Sequence, residues 1–119
     1  MKNEKLIHDW MVSHLNERLS RDYNDIRINL EGDKNEFNGR YPDLILGNHG
    51  HVLALMEVET KGSITPEKAN EWKTLSGLGA RLIIMVPKAS KAKAVDLLWK
   101  QGLAGKVSVG SYDINISMP

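Results

Sequence analysis

The chain has 119 residues, of which 41% are hydrophobic and 26% are charged, and its formal net charge is +1. This length and apolar fraction suit a single domain over residues 1–119 with a modest core, and they exclude a disordered chain. The absence of cysteine excludes disulfides and thiolate metal sites, and no apolar run is long enough for a membrane span or a signal peptide, so we predict a cytoplasmic protein.

The N-terminal half predicts a helix followed by three strands. Residues 3–20 carry aliphatic side chains at helical spacing, which is typical of an amphipathic helix. Residues 25–30 alternate apolar and polar side chains, which indicates a strand with one wet face, and the polar stretch 31–40 indicates a loop. Two apolar runs, 41–46 and 53–61, then predict two buried strands.

The C-terminal half alternates helix and strand. Thr65, Pro66 and Glu67 suit the cap, the first position and the first turn of a helix. A buried strand over residues 81–86, a further helix and a strand over 106–112 follow. The first three strands form an antiparallel meander, and the helix before the fourth permits a crossover, so we expect an α/β fold with a mixed sheet flanked by helices.

Tryptophan is the bulkiest core candidate in this chain. Trp10, Trp72 and Trp99 each lie on a predicted helix among aliphatic residues. We therefore predict that all three pack in the core rather than stack on bases.

Acidic residues stand at the ends of the two central strands. Pro42-Asp43 opens the first strand, and fourteen residues after the Asp, Glu57-Val58-Glu59 closes the second. Because strand side chains alternate, Glu57 and Glu59 share one face. Buried acids are costly unless a positive group lies among them, and carboxylate oxygens suit a hard cation such as Mg²⁺.

These motifs, within the αβββαβ order of residues 3–86, resemble the PD-(D/E)XK nuclease superfamily. The family usually has Lys where this chain has Glu59, although some restriction-type members carry Glu and show the E-x-E form. The resemblance implies a restriction-endonuclease-like core with an added C-terminal helix and strand. It also implies Mg²⁺ or Mn²⁺ as cofactor and hydrolysis of phosphodiester bonds in a nucleic acid, DNA in preference to RNA.

The resemblance also implies roles for individual residues. Asp43 and Glu57 would hold the metal, with the Val58 carbonyl as a further ligand. A metal so held lowers the pKa of its water and polarises the phosphoryl oxygen. Glu59 cannot supply positive charge, but it could position the water as a general base or hold a second metal.

Two lysines are candidates for the cation that the motif lacks. Lys61 has the strand parity of Glu57 and would share its face if the strand runs that far. Lys73 lies one turn after Ala69 on the second predicted helix and could reach inward. For each lysine the favoured interpretation is a solvated surface residue.

The charges of the chain are unevenly distributed. Residues 1–59 hold 7 Lys and Arg against 11 Asp and Glu, and residues 60–119 hold 9 against 4. That layout suits a polyanion lying across an acidic metal centre, although ordinary scatter of surface charge explains it as well. A chain this small offers little surface to grip a duplex, which makes a homodimer plausible.

Two other functions remain open on the sequence. A catalytically silent domain of the same fold could bind nucleic acid or a protein partner, since the usual Lys is missing. The third hypothesis is an α/β interaction module in which the acids are surface charges. The three differ in whether the acids converge in space and in whether the chain cleaves nucleic acid.

The hairpin between the central strands decides whether Asp43 shares the face of Glu57. We predict a three-residue loop, Asn48-His49-Gly50, with φ > 0 at Gly50, which places both residues on one face. A loop with an even number of residues would separate them, unless a bulge restores the register.

Overall fold

The computed structural model describes residues 2–114, which form three α-helices and one five-stranded mixed sheet. The helices are α1 (Lys2–Leu19), α2 (Pro66–Ser76) and α3 (Lys91–Lys100), and the strands are β1 (Asp25–Ile28), β2 (Leu44–Asn48), β3 (His51–Val58), β4 (Arg81–Pro87) and β5 (Val107–Tyr112). Short 3₁₀ turns follow β3 and β4. The predicted elements are thus observed in their predicted order. Within the described part of the chain, no helix combines the length and the apolar character needed to cross a membrane.

The strands lie across the open sheet in their order along the chain. β1, β2 and β3 are antiparallel neighbours, which confirms the predicted meander. β3, β4 and β5 are parallel, and the chain between them forms α2 and α3. Parallel neighbours need such crossover connections because each strand must return to the starting edge.

Apolar clusters cover both faces of the sheet. Ile45, Leu55 and Ile84 pack with Trp72 and the other inward residues of α2 and α3. Alternate residues of β2 and β3 face the other way and pack against α1. β2 and the part of β3 from Ala54 onward are therefore buried on both faces, which explains their near-continuous apolar sequence.

The start of α2 follows the predicted capping pattern. The Thr65 side chain accepts a 3.1 Å hydrogen bond from the amide of Lys68, and Pro66 is the first helical residue. Such a cap is worth about 1 kcal/mol of helix stability. It also fixes the direction in which the first turn of α2 points, and this first turn contributes to the site.

The turn of the β2–β3 hairpin differs from the prediction. It contains two residues, His49 and Gly50, with φ of 52° and 81°, and Asn48 pairs with His51. The predicted three-residue loop is wrong, because two successive left-handed residues close the hairpin more tightly. The predicted positive φ at Gly50 is confirmed. Close approach also explains Gly47, where a Cβ would lie 2.6 Å from the His51 carbonyl oxygen.

A bulge then restores the shared face that the tight turn would have removed. The register shifts at the Leu46–Gly47 step, and beyond it Leu44 pairs with Met56. One step further, Asp43 stands opposite Glu57. Residues opposite each other in neighbouring strands share a face, so the predicted alignment is reached by the bulge rather than by the loop.

Only one of the three tryptophans lies in the core. Trp72 is fully buried, whereas Trp10 and Trp99 are 55% and 69% exposed. The core prediction is therefore wrong for Trp10 and Trp99. Each lies beside the stripe that its helix buries, and Trp10 stacks on His14 with ring centroids 5.1 Å apart.

Candidate functional site

Asp43 and Glu57 each hydrogen bond to the strand of the other. The amide of Asp43 donates to Oε2 of Glu57 at 2.8 Å, and the amide of Val58 donates to Oδ2 of Asp43 at 2.8 Å. These bonds continue the pairing of β2 and β3 past the end of the ladder, with carboxylates acting in place of carbonyls. The Asp43 carbonyl accepts from the amide of Asn29, which also links this point to the chain after β1.

The carboxylate of Glu57 is buried beside that of Asp43. Burial raises the pKa of Glu57 well above its ordinary value, and the negative charge of Asp43 raises it further. The hydrogen bond from the Asp43 amide opposes this effect. The ionised form of Glu57 is therefore destabilised by its surroundings. Carboxyl groups perturbed in this way are common at functional sites.

His8 lies on α1, which covers one face of the sheet, and its ring contacts Asp43 at the sheet edge. Its Nε2 lies 3.1 Å from Oδ1 of Asp43, and its Nδ1 lies 2.9 Å from Oδ1 of Asp9. The hydrogen bond to Asp43 raises the pKa of His8 to about 9 despite partial burial. Both ring nitrogens donate only in the protonated form, so His8 is a cation at neutral pH. No short motif in the sequence links His8 to Asp43.

Glu59 is 1% exposed, and hydrogen-bond donors satisfy both of its carboxylate oxygens. The Trp72 indole donates to Oε2 at 2.9 Å, and the Ser63 hydroxyl donates to Oε1 at 2.8 Å. The Tyr112 hydroxyl donates to the Glu59 carbonyl at 2.6 Å. Burial raises the pKa of Glu59, and the charge of Lys68 opposes that rise. Glu59 is therefore a firmly held buried acid.

Lys68 is the lysine that the structure brings to the buried acids. Its Nζ lies 3.9 Å from Oε1 of Glu59 and 3.1 Å from Oε2 of Glu71. Burial would lower the pKa of Lys68, but the neighbouring carboxylates raise it. Sequence reasoning missed Lys68, although the Thr65 cap that orients the first turn of α2 was visible.

The two lysines predicted from the sequence occupy other places. β3 ends at Val58, and Lys61 begins the 3₁₀ turn Lys61–Ser63, so the expected extension of the strand to Lys61 is wrong. Strand parity does not persist through a helical turn, and Lys61 is exposed. Lys73 is also exposed, because Ala69 and Trp72 occupy the buried face of α2. The expected inward reach of Lys73 is therefore not observed.

A hydrogen bond from Gly62 to Glu4 joins the 3₁₀ turn Lys61–Ser63 to α1. The amide of Gly62 donates to Oε1 of Glu4 at 2.5 Å, and this bond lowers the pKa of Glu4. A Cβ at Gly62 would lie 2.6 Å from Oε2 of Glu4. Because this oxygen is at the end of a flexible side chain, a larger residue at position 62 would shift the Glu4 carboxylate.

The acids lie between two clefts at one end of the sheet. A cleft of about 380 Å³ is lined by His8, Asp43, Glu59 and Lys68, among others. A second cleft of about 410 Å³ lies against Glu57 on the side of the β1–β2 loop. Asp43 and Glu57 therefore border different clefts.

The chemistry of the donor set fits a hard divalent cation. Within residues 2–114, no three Asp, Glu or His side chains converge as ligands of one ion. Magnesium, however, keeps several waters and is commonly held by one or two carboxylates together with substrate phosphates. Asp43 and Glu57 supply two such carboxylates. The Val58 group seen at Asp43 is its amide, and the role of its carbonyl as a ligand stays a prediction.

Comparisons with protein-family models, with curated proteins and with solved structures find no match for this chain. One fold hosts many functions, so the function has to be inferred from the site itself. The acids, their cationic partners and the clefts beside them are the features on which that inference depends.

Proposed function

We propose that this protein is a metal-dependent nuclease that hydrolyses phosphodiester bonds in nucleic acid, DNA in preference to RNA. The observation that carries the proposal is the placement of Asp43 opposite Glu57, with each carboxylate bonded to the other strand. Asp43 lines one open cleft and Glu57 lines a second. Two acids so placed are what a phosphate-cleaving metal site needs.

The arrangement of the elements supports the same proposal. The order α1–β1–β2–β3–α2–β4, with two antiparallel pairings followed by a parallel one, is compatible with the αβββαβ core of the PD-(D/E)XK superfamily. We therefore propose a restriction-endonuclease-like core to which α3 and β5 are added.

Asp43 and Glu57 would hold a Mg²⁺ or Mn²⁺ ion. When bound, that ion supplies Lewis-acid polarisation of the phosphate and lowers the pKa of water. Burial and the charge of Asp43 raise the pKa of Glu57 because they destabilise its ionised form. A bound divalent cation would stabilise that ionised form. The backbone bonds between the two strands hold both carboxylates in place before any ligand arrives.

The cations of the site assist in receiving the phosphate. His8 and Lys68 line the cleft that contains Asp43, and Lys5 lies at its edge. Positive groups in a narrow cleft raise the local concentration of an anionic substrate. They also offset the acids that would otherwise repel it.

A cleavage screen tests the proposal. The chain is incubated with duplex, single-stranded and branched DNA and with RNA, in Mg²⁺, Mn²⁺ or EDTA. We expect cleavage that requires metal and is lost in Asp43→Asn and Glu57→Gln. Glu17→Gln, a change of an exposed acid on α1, is the matched control and should cleave like wild type. If the wild-type chain cleaves none of these substrates with either metal, the proposed nuclease activity is refuted.

One observation favours a catalytically silent domain that binds nucleic acid. Protein donors already bond both oxygens of Asp43 and both of Glu59. Such a satisfied acid cluster can persist for structural reasons. Salt-sensitive binding of a labelled duplex, without cleavage in any metal, would establish this second function.

A further inference from the structure

Lys68 is the half-buried cation of the cleft. Its side chain is 30% exposed and lines the cleft that contains Asp43 and His8. An ammonium group has three donors. The 3.1 Å contact with Glu71 occupies one of them, and the 3.9 Å separation from Glu59 is too long for a hydrogen bond. Lys68 therefore keeps donors for a ligand in the cleft.

Glu59 orients Lys68 without neutralising it by a direct bond. Lys68 and Trp72 lie one turn apart on α2, and both face Glu59. Glu59 cannot move toward the cleft, because Trp72 and Ser63 hold its two oxygens. A fixed anion on one side of the ammonium group directs that group while leaving donors free for the cleft.

We propose that Lys68 contacts the scissile phosphate of the nucleic-acid substrate and that Glu59 is its positioning residue. α2 thus supplies a positive charge to this site, while an acid occupies the strand position where the superfamily usually has Lys. This inference rests on the proposed nuclease function. It assigns the substrate contact to a residue that the motif does not include.

Metal-free binding measures the contact separately from cleavage. A labelled oligonucleotide duplex is titrated in EDTA at several salt concentrations with wild type, Lys68→Met and Lys73→Met. Loss of one phosphate contact should reduce the slope of log K against log salt by about 0.9. We expect this reduction for Lys68→Met and no change for Lys73→Met, which alters an exposed lysine of the same helix.

Cleavage kinetics separate Lys68 from Glu59. In Mg²⁺, we expect Lys68→Met to lose at least about 100-fold in rate, the scale of removing one charge-stabilising donor. Glu59→Gln should lower kcat but keep the salt slope of binding, because the charge of Lys68 remains. A merely structural role would instead lower the melting temperature and leave the salt slope unchanged. Lys68→Gln provides a second neutral side chain if the Met variant does not fold.

The outcomes separate this inference from the function on which it rests. Wild-type chain that neither binds nor cleaves would refute both. Wild-type chain that cleaves, together with a Lys68→Met variant of unchanged rate and unchanged slope, would refute the role of Lys68 alone. If the salt slope falls in Lys73→Met and not in Lys68→Met, the phosphate contact belongs to Lys73 and the role of Lys68 is refuted.

Discussion

The indole of Trp72 donates a 2.9 Å hydrogen bond to Oε2 of Glu59, and both side chains are almost completely buried. Trp72 also packs in the apolar cluster between the sheet and the two helices on that face. A buried carboxylate requires donors, and here the core itself supplies one. The packing of α2 and the charge of the site are therefore coupled through one bond.

Trp72→Phe tests that coupling. Phe keeps most of the ring packing but removes the only indole donor at Oε2 of Glu59. Leaving a buried acceptor unsatisfied costs about 1–3 kcal/mol, so we expect a fall of that size in the free energy of unfolding, measured with urea. Trp99→Phe, on the exposed side of α3, should change it by less than about 0.5 kcal/mol. Equal effects in the two variants would show that the bond contributes nothing.

Glu57→Gln should not destabilise the metal-free chain at pH 8. The folded-state pKa of Glu57 is raised, so its ionisation opposes folding once the pH exceeds the unfolded-state value. Gln removes that charge and can still accept from the Asp43 amide. We expect the variant to melt, in EDTA, no lower than wild type. A fall of several degrees would instead indicate that ionised Glu57 stabilises the fold.

His8 should make the stability fall as the pH rises. Its pKa is about 9 in the folded chain against an ordinary value of 6.5, so folding favours the protonated form. This contribution is fully present below about pH 6.5 and is lost as the pH rises through 9. It amounts to at most about 3–4 kcal/mol, because the pKa rises from 6.5 to about 9 and one pKa unit corresponds to about 1.4 kcal/mol.

Urea unfolding between pH 6.5 and 9.5 measures the effect of His8. We expect wild type to lose more stability over this range than His8→Gln. His51→Gln, which changes an exposed histidine of the hairpin, should follow wild type. Parallel curves for wild type and His8→Gln would mean that the bond to Asp43 does not retain the proton.

Gly47→Ala should disturb the bulge that aligns Asp43 with Glu57. The added methyl would lie 2.6 Å from a backbone oxygen of the facing strand, which cannot move aside as a side chain can. Overpacking of this kind costs about 1–3 kcal/mol of unfolding free energy. Gly77→Ala is the control, because its Cβ would have ordinary contacts of 3.5 Å or more. Equal stabilities for the two variants would contradict the proposed need for glycine at the bulge.

Local patterns in the sequence predicted the elements and their order. The cap at Thr65 and the apolar runs around Asp43 and Glu57 are local patterns, and each depends on backbone geometry within a few residues. Hydrophobic periodicity therefore predicted the helices, the strands and the order in which they occur. The shared face of Asp43 and Glu57 was predicted from a three-residue loop, and the structure reaches it instead by a two-residue turn and a bulge.

The tertiary structure alone decided which residues surround those acids. His8 reaches Asp43 across the edge of the sheet, and Lys68, rather than Lys61 or Lys73, approaches Glu59. These contacts depend on how far each helix is rotated about its axis and where it docks on the sheet. That placement is set by the packing of many apolar side chains at once, which has no signature in any short stretch of sequence.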